Sequence, residues 1–243
     1  KTLFPYTTLF RSMRTVLMVV PHFRGCSGEM NHAPRAYHSG DHAEIDWILT
    51  RLVAEHPQRV LLVVGISLGG NALMRWAGEQ GHAASGVIDG IASVEMFEAV
   101  GENYWPSYFE MLQRCLKPGE KACIQTIVIA DNLFEKYRNS SDFIQQYVFP
   151  GGMLPSEEKF KEAAAKQGLV TESVYRFGQD YQKTLVLWHE KFNQQLDAIK
   201  AQGFDQKFIR LWNLYLMYCA AGFAEKSTDV IQFTLRKPDT NGA

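Results

Sequence analysis

The sequence predicts an α/β fold, in which a shortened, mainly parallel sheet carries helices on both of its faces. Short apolar runs rich in β-branched residues alternate along the chain with stretches that repeat apolar residues at helical spacing. The runs are too apolar for strands with one face in water, which favours parallel strands buried between helices. The chain has 243 residues, 46% of them hydrophobic, which is enough for a substantial core.

The first elements predicted are a strand, a helix and a second strand. Residues 15–20 and 59–64 are apolar runs typical of buried strands. Between them, Asp41 and Glu44 mark an acidic helix start. Apolar residues then follow at the spacing of an amphipathic helix: Ile45, Ile48, Leu49, Leu52 and Val53.

A glycine-rich turn follows the second strand and leads into a helix predicted over residues 72–78. Residues 65–69, GISLG, have the pattern G-x-S-x-G of a turn that presents a nucleophilic serine. Small residues at 65 and 69 let the turn tighten, so that Ser67 projects from the carboxyl edge of the sheet and the amide of Leu68 can stabilise an oxyanion. Ser67 is therefore a candidate nucleophile, and an ordinary glycine-rich connection is the alternative.

Residues 21–29 (PHFRGCSGE), 37–40 (YHSG) and 65–81 (GISLGGNALMRWAGEQG) resemble the YheT-like branch of the α/β-hydrolases. The resemblance covers residues 13–85 and implies a serine hydrolase or carboxylesterase, whose triad acid and histidine follow the serine. After Ser67 the chain has only His82 and His189, and neither matches the family's position. A serine without a base is a poor nucleophile at neutral pH, so we expect an incomplete triad.

More strands and helices are predicted after residue 86. Strands are expected at 88–94, 121–128 and 230–235, and helices at 104–116 and at 157–167, where Ser156 is the N-cap. Glu98 lies just past a strand end, where α/β sheets bind ligands, although it can also serve as a helix-start carboxylate. The remainder is predicted to be mostly helical, with core stripes formed by Leu185, Trp188, Phe192, Ile199, Phe208, Trp212, Tyr215 and Cys219.

Four stretches in order, residues 93–127, 140–156, 177–192 and 229–238, are similar to cyclopropane-fatty-acyl-phospholipid synthases. These enzymes are S-adenosylmethionine-dependent methyltransferases. The resemblance covers residues 86–243 and implies the C-terminal half of a Rossmann-like methyltransferase. It also implies methyl transfer to a cis double bond of a phospholipid acyl chain, with closure of a cyclopropane ring or, in relatives, without it.

The resemblance further implies a base and an aromatic pocket. An alkene that attacks a sulfonium methyl group becomes a carbocation, so the pocket must exclude water and hold a weak base. In the family this base is a bound bicarbonate, and Glu98, Ile127 (through its backbone) and Tyr181 fall on positions that hold it. Gln125 stands where the family has a histidine. Glu98 and Tyr181 are thus catalytic candidates. The aromatic residues for this pocket, or for ordinary packing, are Phe143, Tyr147, Phe149, Tyr175, Phe177, Tyr181 and Trp188.

The resemblance implies S-adenosylmethionine and bicarbonate as cofactors, yet no residues match the family's glycine-rich cofactor loop or its ribose-binding acid. The turn at 65–70 stands about 25 residues ahead of the next strand, too few for the two strand–helix units of the intact fold. We therefore expect a hybrid of the two families that is inactive as a methyltransferase, and a misassembled product is an alternative. Residues 1–12 resemble a translated sequencing adaptor and are expected to form a disordered leader.

Charge and composition limit the partners. A net charge of -1 gives no summed field that favours nucleic acid. The four cysteines form no C-x-x-C pair, and no apolar run reaches the ~20 residues that span a bilayer. We expect a cytoplasmic protein that meets phospholipid at the inner membrane face. A metal site is not expected from the acidic residues and histidines near the first helix: His22, His38, Asp41, His42 and Glu44.

Overall fold

The computed structural model of the chain describes residue 19 and residues 42–86 and 89–239. The contacts of residues 42–86 and 89–239 group them into one compact unit. The leader expected at residues 1–12 lies outside the described residues, as does the strand expected at 15–20 apart from residue 19. The histidine-rich stretch before residue 42 also lies outside them.

The predicted helices and strands from residue 42 onward are present, with ends shifted by a few residues. Ser156 caps its helix as expected, since its side chain accepts a hydrogen bond from the Lys159 amide. In chain order the elements are α1 (His42–Glu55), β1 (Leu62–Ile66), α2 (Leu68–Gln80), β2 (Gly90–Val94), α3 (Trp105–Cys115), β3 (Lys121–Ile129), α4 (Asp131–Arg138), α5 (Phe143–Tyr147), α6 (Glu157–Lys166), β4 (Val170–Arg176), α7 (Gly178–Gln194), α8 (Leu196–Ala201), α9 (Gln206–Ala224) and β5 (Thr228–Arg236).

The sheet is mixed, which corrects the expectation of a mainly parallel one. Its strand order is β1-β2-β3-β5-β4. The pairs β1–β2 and β2–β3 are parallel, whereas β5 runs antiparallel to both β3 and β4. An apolar run predicts a strand but not its direction, because side chains alternate between the two faces in either case. The expectation of a buried strand is wrong for β1, whose Leu62, Val64 and Ile66 are exposed.

Helices cover both faces of the sheet, as predicted. Alternate side chains of β5 enter two different hydrophobic clusters: Ile231 and Phe233 join the larger one with α2, α3 and α6, while Val230 joins a smaller one with α7 and α9. In the larger cluster the ring of Phe160 stacks on that of Phe233, with 4.0 Å between centroids. Both faces of the sheet therefore lie against apolar side chains.

One expectation about packing is wrong, and one strand of the sheet was not predicted. Trp188 was predicted in a core stripe with Leu185, but Leu185 is buried while Trp188 is 58% exposed. Helical spacing gives the direction of a side chain and not the extent of what packs over it. Strand β4 was not predicted, because its sequence VTESVYR is mostly polar and its side chains are largely exposed at the end of the sheet.

The parallel strands β1, β2 and β3 bring the candidate residues to one edge of the sheet. Ser67 follows β1, and the segment of residues 95–99 follows β2. Strand β3 is longer: its Gln125 pairs with the last residue of β2, so Ile127 extends beside the segment after β2. Ligands of α/β sheets bind at this carboxyl edge.

Candidate functional site

Glu98 lies in a short 3₁₀ turn, Phe97–Ala99, directly after β2. Its Oε1 accepts a hydrogen bond of 2.6 Å from the backbone amide of Ile127 on β3. Burial raises the pKa of Glu98 to about 7, which the Ile127 amide opposes and the neighbouring Glu95 carboxylate reinforces. Its other oxygen, Oε2, is buried without a hydrogen-bond partner among the described residues. Near neutral pH the Glu98 carboxyl group is thus present in both its charged and its neutral form.

Glu95, the first residue after β2, is held by two side chains. Its Oε1 accepts hydrogen bonds from Gln125 Nε2 at 3.0 Å and from the Tyr181 hydroxyl at 2.7 Å. Gln125 also contacts Tyr181, with 2.9 Å between Nε2 and the hydroxyl oxygen. On its other side, the Gln125 amide oxygen accepts a hydrogen bond of 2.9 Å from Gln232 of β5. Four side chains from three strand regions and α7 therefore form one network.

The backbone of Glu95 adopts a conformation that side chains seldom take. Its φ is 55°, in the left-handed region that favours glycine. Its amide donates to the Gln125 carbonyl at 2.9 Å, which fixes the turn against β3. A strained residue held in this way is common at functional sites. Sequence reasoning did not single out Glu95, although its position at a strand's carboxyl end was a usable signal.

The structure brings together Glu98, Gln125, Ile127 and Tyr181, the four residues expected to hold bicarbonate. Their hydrogen-bond donors already face carboxyl groups: the Ile127 amide faces Glu98, and Gln125 and Tyr181 face Glu95. A bicarbonate ion would have to displace these contacts, because the Glu95 carboxylate already occupies the two side-chain donors. The residues present therefore do not fit a bound bicarbonate.

Ser67 has the backbone of a tight strand-to-helix turn, with φ 50° and ψ −120°. A Cβ on Gly65 would lie 2.5 Å from the Gly70 Cα, so the turn requires glycine where its two ends meet. The Ser67 amide donates to the Val94 carbonyl at 2.8 Å, which ties the turn to β2. Leu68 begins α2, and amides in the first turn of a helix have no acceptor within that helix. The strand–turn–helix context expected for Ser67 is thus present.

A cavity of about 520 Å³ lies between the residues that follow β1 and those that follow β2. Ser67 and Glu95 both contribute to its lining. No histidine is among the lining residues that the structure describes. Ser67 therefore faces a space large enough for a ligand, in which no described imidazole can accept its proton. The other lining residues are Asn71, Met74, Arg75, Met96, Ala99, Val100, Tyr104, Ser107, Tyr108 and Met111.

The aromatic residues expected in the pocket divide into two groups. Phe177 and Tyr181 pack against the smaller hydrophobic cluster, with 5.6 Å between their ring centroids. Among the others, four lie largely in solvent: Tyr147, Phe149, Tyr175 and Trp188. Only part of the aromatic density therefore adjoins the Glu95 network.

Several further features bear on function. Among residues 42–86 and 89–239, no three His, Cys, Asp or Glu side chains come together as a group that could hold a metal ion. In the same part of the chain, no helix has both the length and the apolar character needed to cross a bilayer. Cys115, Cys123 and Cys219 are free thiols.

The structure resembles solved cyclopropane synthases. Cyclopropane synthase MmaA2 from Mycobacterium tuberculosis aligns over 78% of this chain and 73% of its own, with a TM-score of 0.57 and 24% identity. This likeness establishes an α/β methyltransferase-like fold. Because 78% of the chain is more than residues 86–243 contain, the structural likeness includes residues before the expected boundary at 85/86.

Sequence comparison points to the same enzymes. The tuberculostearic acid methyltransferase of M. tuberculosis is 40% identical over 151 residues, and the cyclopropane-fatty-acyl-phospholipid synthase of Escherichia coli is 32% identical over 155. These matches cover 62% and 64% of this chain but only 35% and 39% of the relatives. Residues 80–233, well over half of the chain, match the mycolic acid cyclopropane synthetase family. The chain therefore belongs to this family of lipid-modifying, S-adenosylmethionine-dependent methyltransferases.

Proposed function

We propose that the network around Glu95 and Glu98 is the acceptor side of a site for methyl transfer to the cis double bond of a phospholipid acyl chain. The observation that carries the proposal is the convergence of Glu98, Gln125, Ile127 and Tyr181 at the carboxyl edge of the sheet. The convergence lies within the segment that matches the family. One relative is named for a fatty-acyl-phospholipid product, which supports a phospholipid as the substrate class.

The local chemistry supports an alkene acceptor. When bound, S-adenosylmethionine supplies an electrophilic methyl group, and the acceptor then carries positive charge that the site must stabilise before a proton leaves. The rings of Phe177 and Tyr181 stand beside the carboxyl network and offer π faces to a cation. The apolar cluster behind them limits the access of water.

A photoreactive lipid tests this proposal without turnover. A phospholipid that carries a diazirine beside its cis double bond is expected to cross-link residues 93–98, 125–127 and 177–181. The matched control is the same lipid with the diazirine in its headgroup, which should label elsewhere. Mid-chain labelling that avoids all three segments would contradict an acyl site in this cluster.

We also propose that the chain by itself does not bind S-adenosylmethionine. Among the residues that the structure describes, β1 is an edge strand of the sheet, and no described strand beyond it supplies a ribose-binding carboxylate. Titration calorimetry of the purified chain should give no binding heat, while the complete E. coli synthase serves as the positive control. Micromolar affinity would show that the cofactor loop has an equivalent here.

A second candidate function, serine hydrolysis, is supported by the backbone of Ser67 and by the cavity it lines. With no histidine among the described residues of that cavity, we expect a fluorophosphonate probe to leave Ser67 unlabelled. The Ser67→Ala variant is the control for labelling at other serines. Stoichiometric modification that disappears in Ser67→Ala would establish a hydrolase.

The origin of residues 13–85 and 86–243 from two families is likewise a proposal, and an inactive fused or misassembled product follows from it. The start of the family match at residue 80 supports a junction close to residue 85. Sequencing genomic DNA across codons 80–90 should find one continuous frame if the fusion is natural. A genomic sequence in which the two halves are not contiguous would identify a misassembled product.

A further inference from the structure

We infer that the carboxylate of Glu95 takes the place of a bound anion in this site and is its built-in proton acceptor. The inference rests on the proposed methyl transfer for its chemical role, and on the Glu95 network for its geometry. It is independent of whether this chain alone binds the methyl donor.

Two side chains donate hydrogen bonds to the same carboxylate oxygen of Glu95. The Gln125 amide oxygen is occupied by Gln232, so the Gln125 NH₂ group must point toward Glu95. The Tyr181 hydroxyl donates to the same Glu95 oxygen. Two donors that meet on one oxygen are what a planar oxyanion requires, and here the oxygen belongs to the protein.

The backbone conformation of Glu95 is one that favours glycine. At φ 55° a glycine would fit Glu95's position without strain, whereas a side chain there is unfavourable. The strained turn aims the carboxylate back at β3, where Gln125 receives it. The side chain at this position is therefore held by its interactions and not by local preference.

The charge of the two carboxyl groups and the cavity beside Glu95 also support the inference. Burial and the Glu95 carboxylate both disfavour the charged form of Glu98, so the pair carries less than two negative charges near neutral pH. A bicarbonate ion would restore a second full charge. Glu95 also lines the cavity of about 520 Å³, which gives a ligand access to its carboxylate.

The proton step then balances within the site. Methyl transfer from a bound sulfonium donor would form a C–C bond at one carbon of the double bond and break the donor's S–C bond. This would release a neutral thioether and leave a carbocation at the other carbon of the acyl chain. A C–H bond next to the cationic carbon, or on the added methyl group, breaks, and its electron pair forms a double bond or closes the ring. The proton passes to the Glu95 carboxylate, which becomes a carboxylic acid and later returns the proton to water.

Bicarbonate binding tests the inference without lipid or methyl donor. The full chain is titrated with ¹³C-bicarbonate and binding is read from the carbon line width. We expect no binding by the wild-type chain. We expect binding by Glu95→Gly, because that variant removes the carboxylate to which Gln125 and Tyr181 donate. Glycine suits the backbone at residue 95. Glu110→Gln, at an exposed position of α3, is the matched control and should behave as wild type.

The outcomes are decisive in both directions. Bicarbonate binding by the wild-type chain would overturn the inference, and this reading needs no variant to fold. Absence of binding by both proteins would also overturn it, since the donors would then form no anion site. Circular dichroism checks that Glu95→Gly is folded, and Glu95→Ala is a second variant that removes the same carboxylate. A failure of the proposed function would appear separately, in the lipid cross-linking.

Discussion

Replacing Glu98 with glutamine should make the protein more stable at alkaline pH. The pKa of Glu98 rises from 4.5 to about 7 on folding because the carboxyl group is buried. Between these two values the folded chain keeps a proton that the unfolded chain has lost, so the free energy of unfolding falls as pH rises. A rise of this size corresponds to a destabilisation of the folded chain by about 3 kcal/mol. This destabilisation is fully present above pH 7 and absent below pH 4.5. Glutamine has no such titration, and its amide oxygen can still accept the Ile127 amide.

Urea unfolding of both proteins at a series of pH values measures the effect. The difference in unfolding free energy, Glu98→Gln minus wild type, should increase from pH 4.5 to pH 8 by up to about 3 kcal/mol. Taking the difference cancels the other carboxylates, and Glu110→Gln, at an exposed position of α3, is the matched control for the removal of a carboxylate. A flat or falling difference for Glu98→Gln would refute the assignment of a buried, largely neutral carboxyl group at this position.

Two further predictions concern the turn and the core. Gly65→Ala should lower the unfolding free energy by roughly 1–3 kcal/mol in urea titrations, because its Cβ would meet the Gly70 Cα at 2.5 Å. The helical control Gly78→Ala, whose Cβ meets only ordinary contacts, should stabilise by up to about 1 kcal/mol, and equal effects would count against the tight turn. Phe160→Ala should cost roughly 3–5 kcal/mol by the same measurement, whereas Phe149→Ala, on an exposed ring, should cost under about 0.5; similar losses would contradict the core placement.

Much of the fold was predictable because burial and helical spacing leave a clear pattern. Helix α1 has its apolar residues at the expected intervals, and most side chains of β2 and β3 are apolar. Strand direction was not predictable, since pairing depends on where the chain returns after a helix. Strand β4 was missed for a related reason: its partner β5 supplies the backbone hydrogen bonds, while its own side chains, such as Tyr175, stay exposed.

The sequence predicted which residues of the proposed site lie together, but not their hydrogen-bonding pattern. The family resemblance pointed to Glu98, Gln125 and Tyr181, and the sheet and helix α7 bring them together. Which donor meets which acceptor depends on distances set by the register of β2 against β3 and by the rotamers of long side chains. The left-handed backbone of Glu95 is also a property of the folded turn, and the amino-acid types around it do not predict it.

The glutamine at position 125 and the carboxylate at position 95 are related features of the proposed site. A histidine at position 125 could bind an anion and share its proton near neutral pH, but Gln125 can only donate or accept a hydrogen bond without changing its charge. A network built on glutamine therefore needs a second group to take up a proton, and Glu95 is the group that Gln125 holds. Because Gln232 fixes the orientation of Gln125, the carboxylate meets a donor whose direction does not vary with pH. In the proposed site, the glutamine at position 125 and the carboxylate on a strained turn are thus parts of one arrangement.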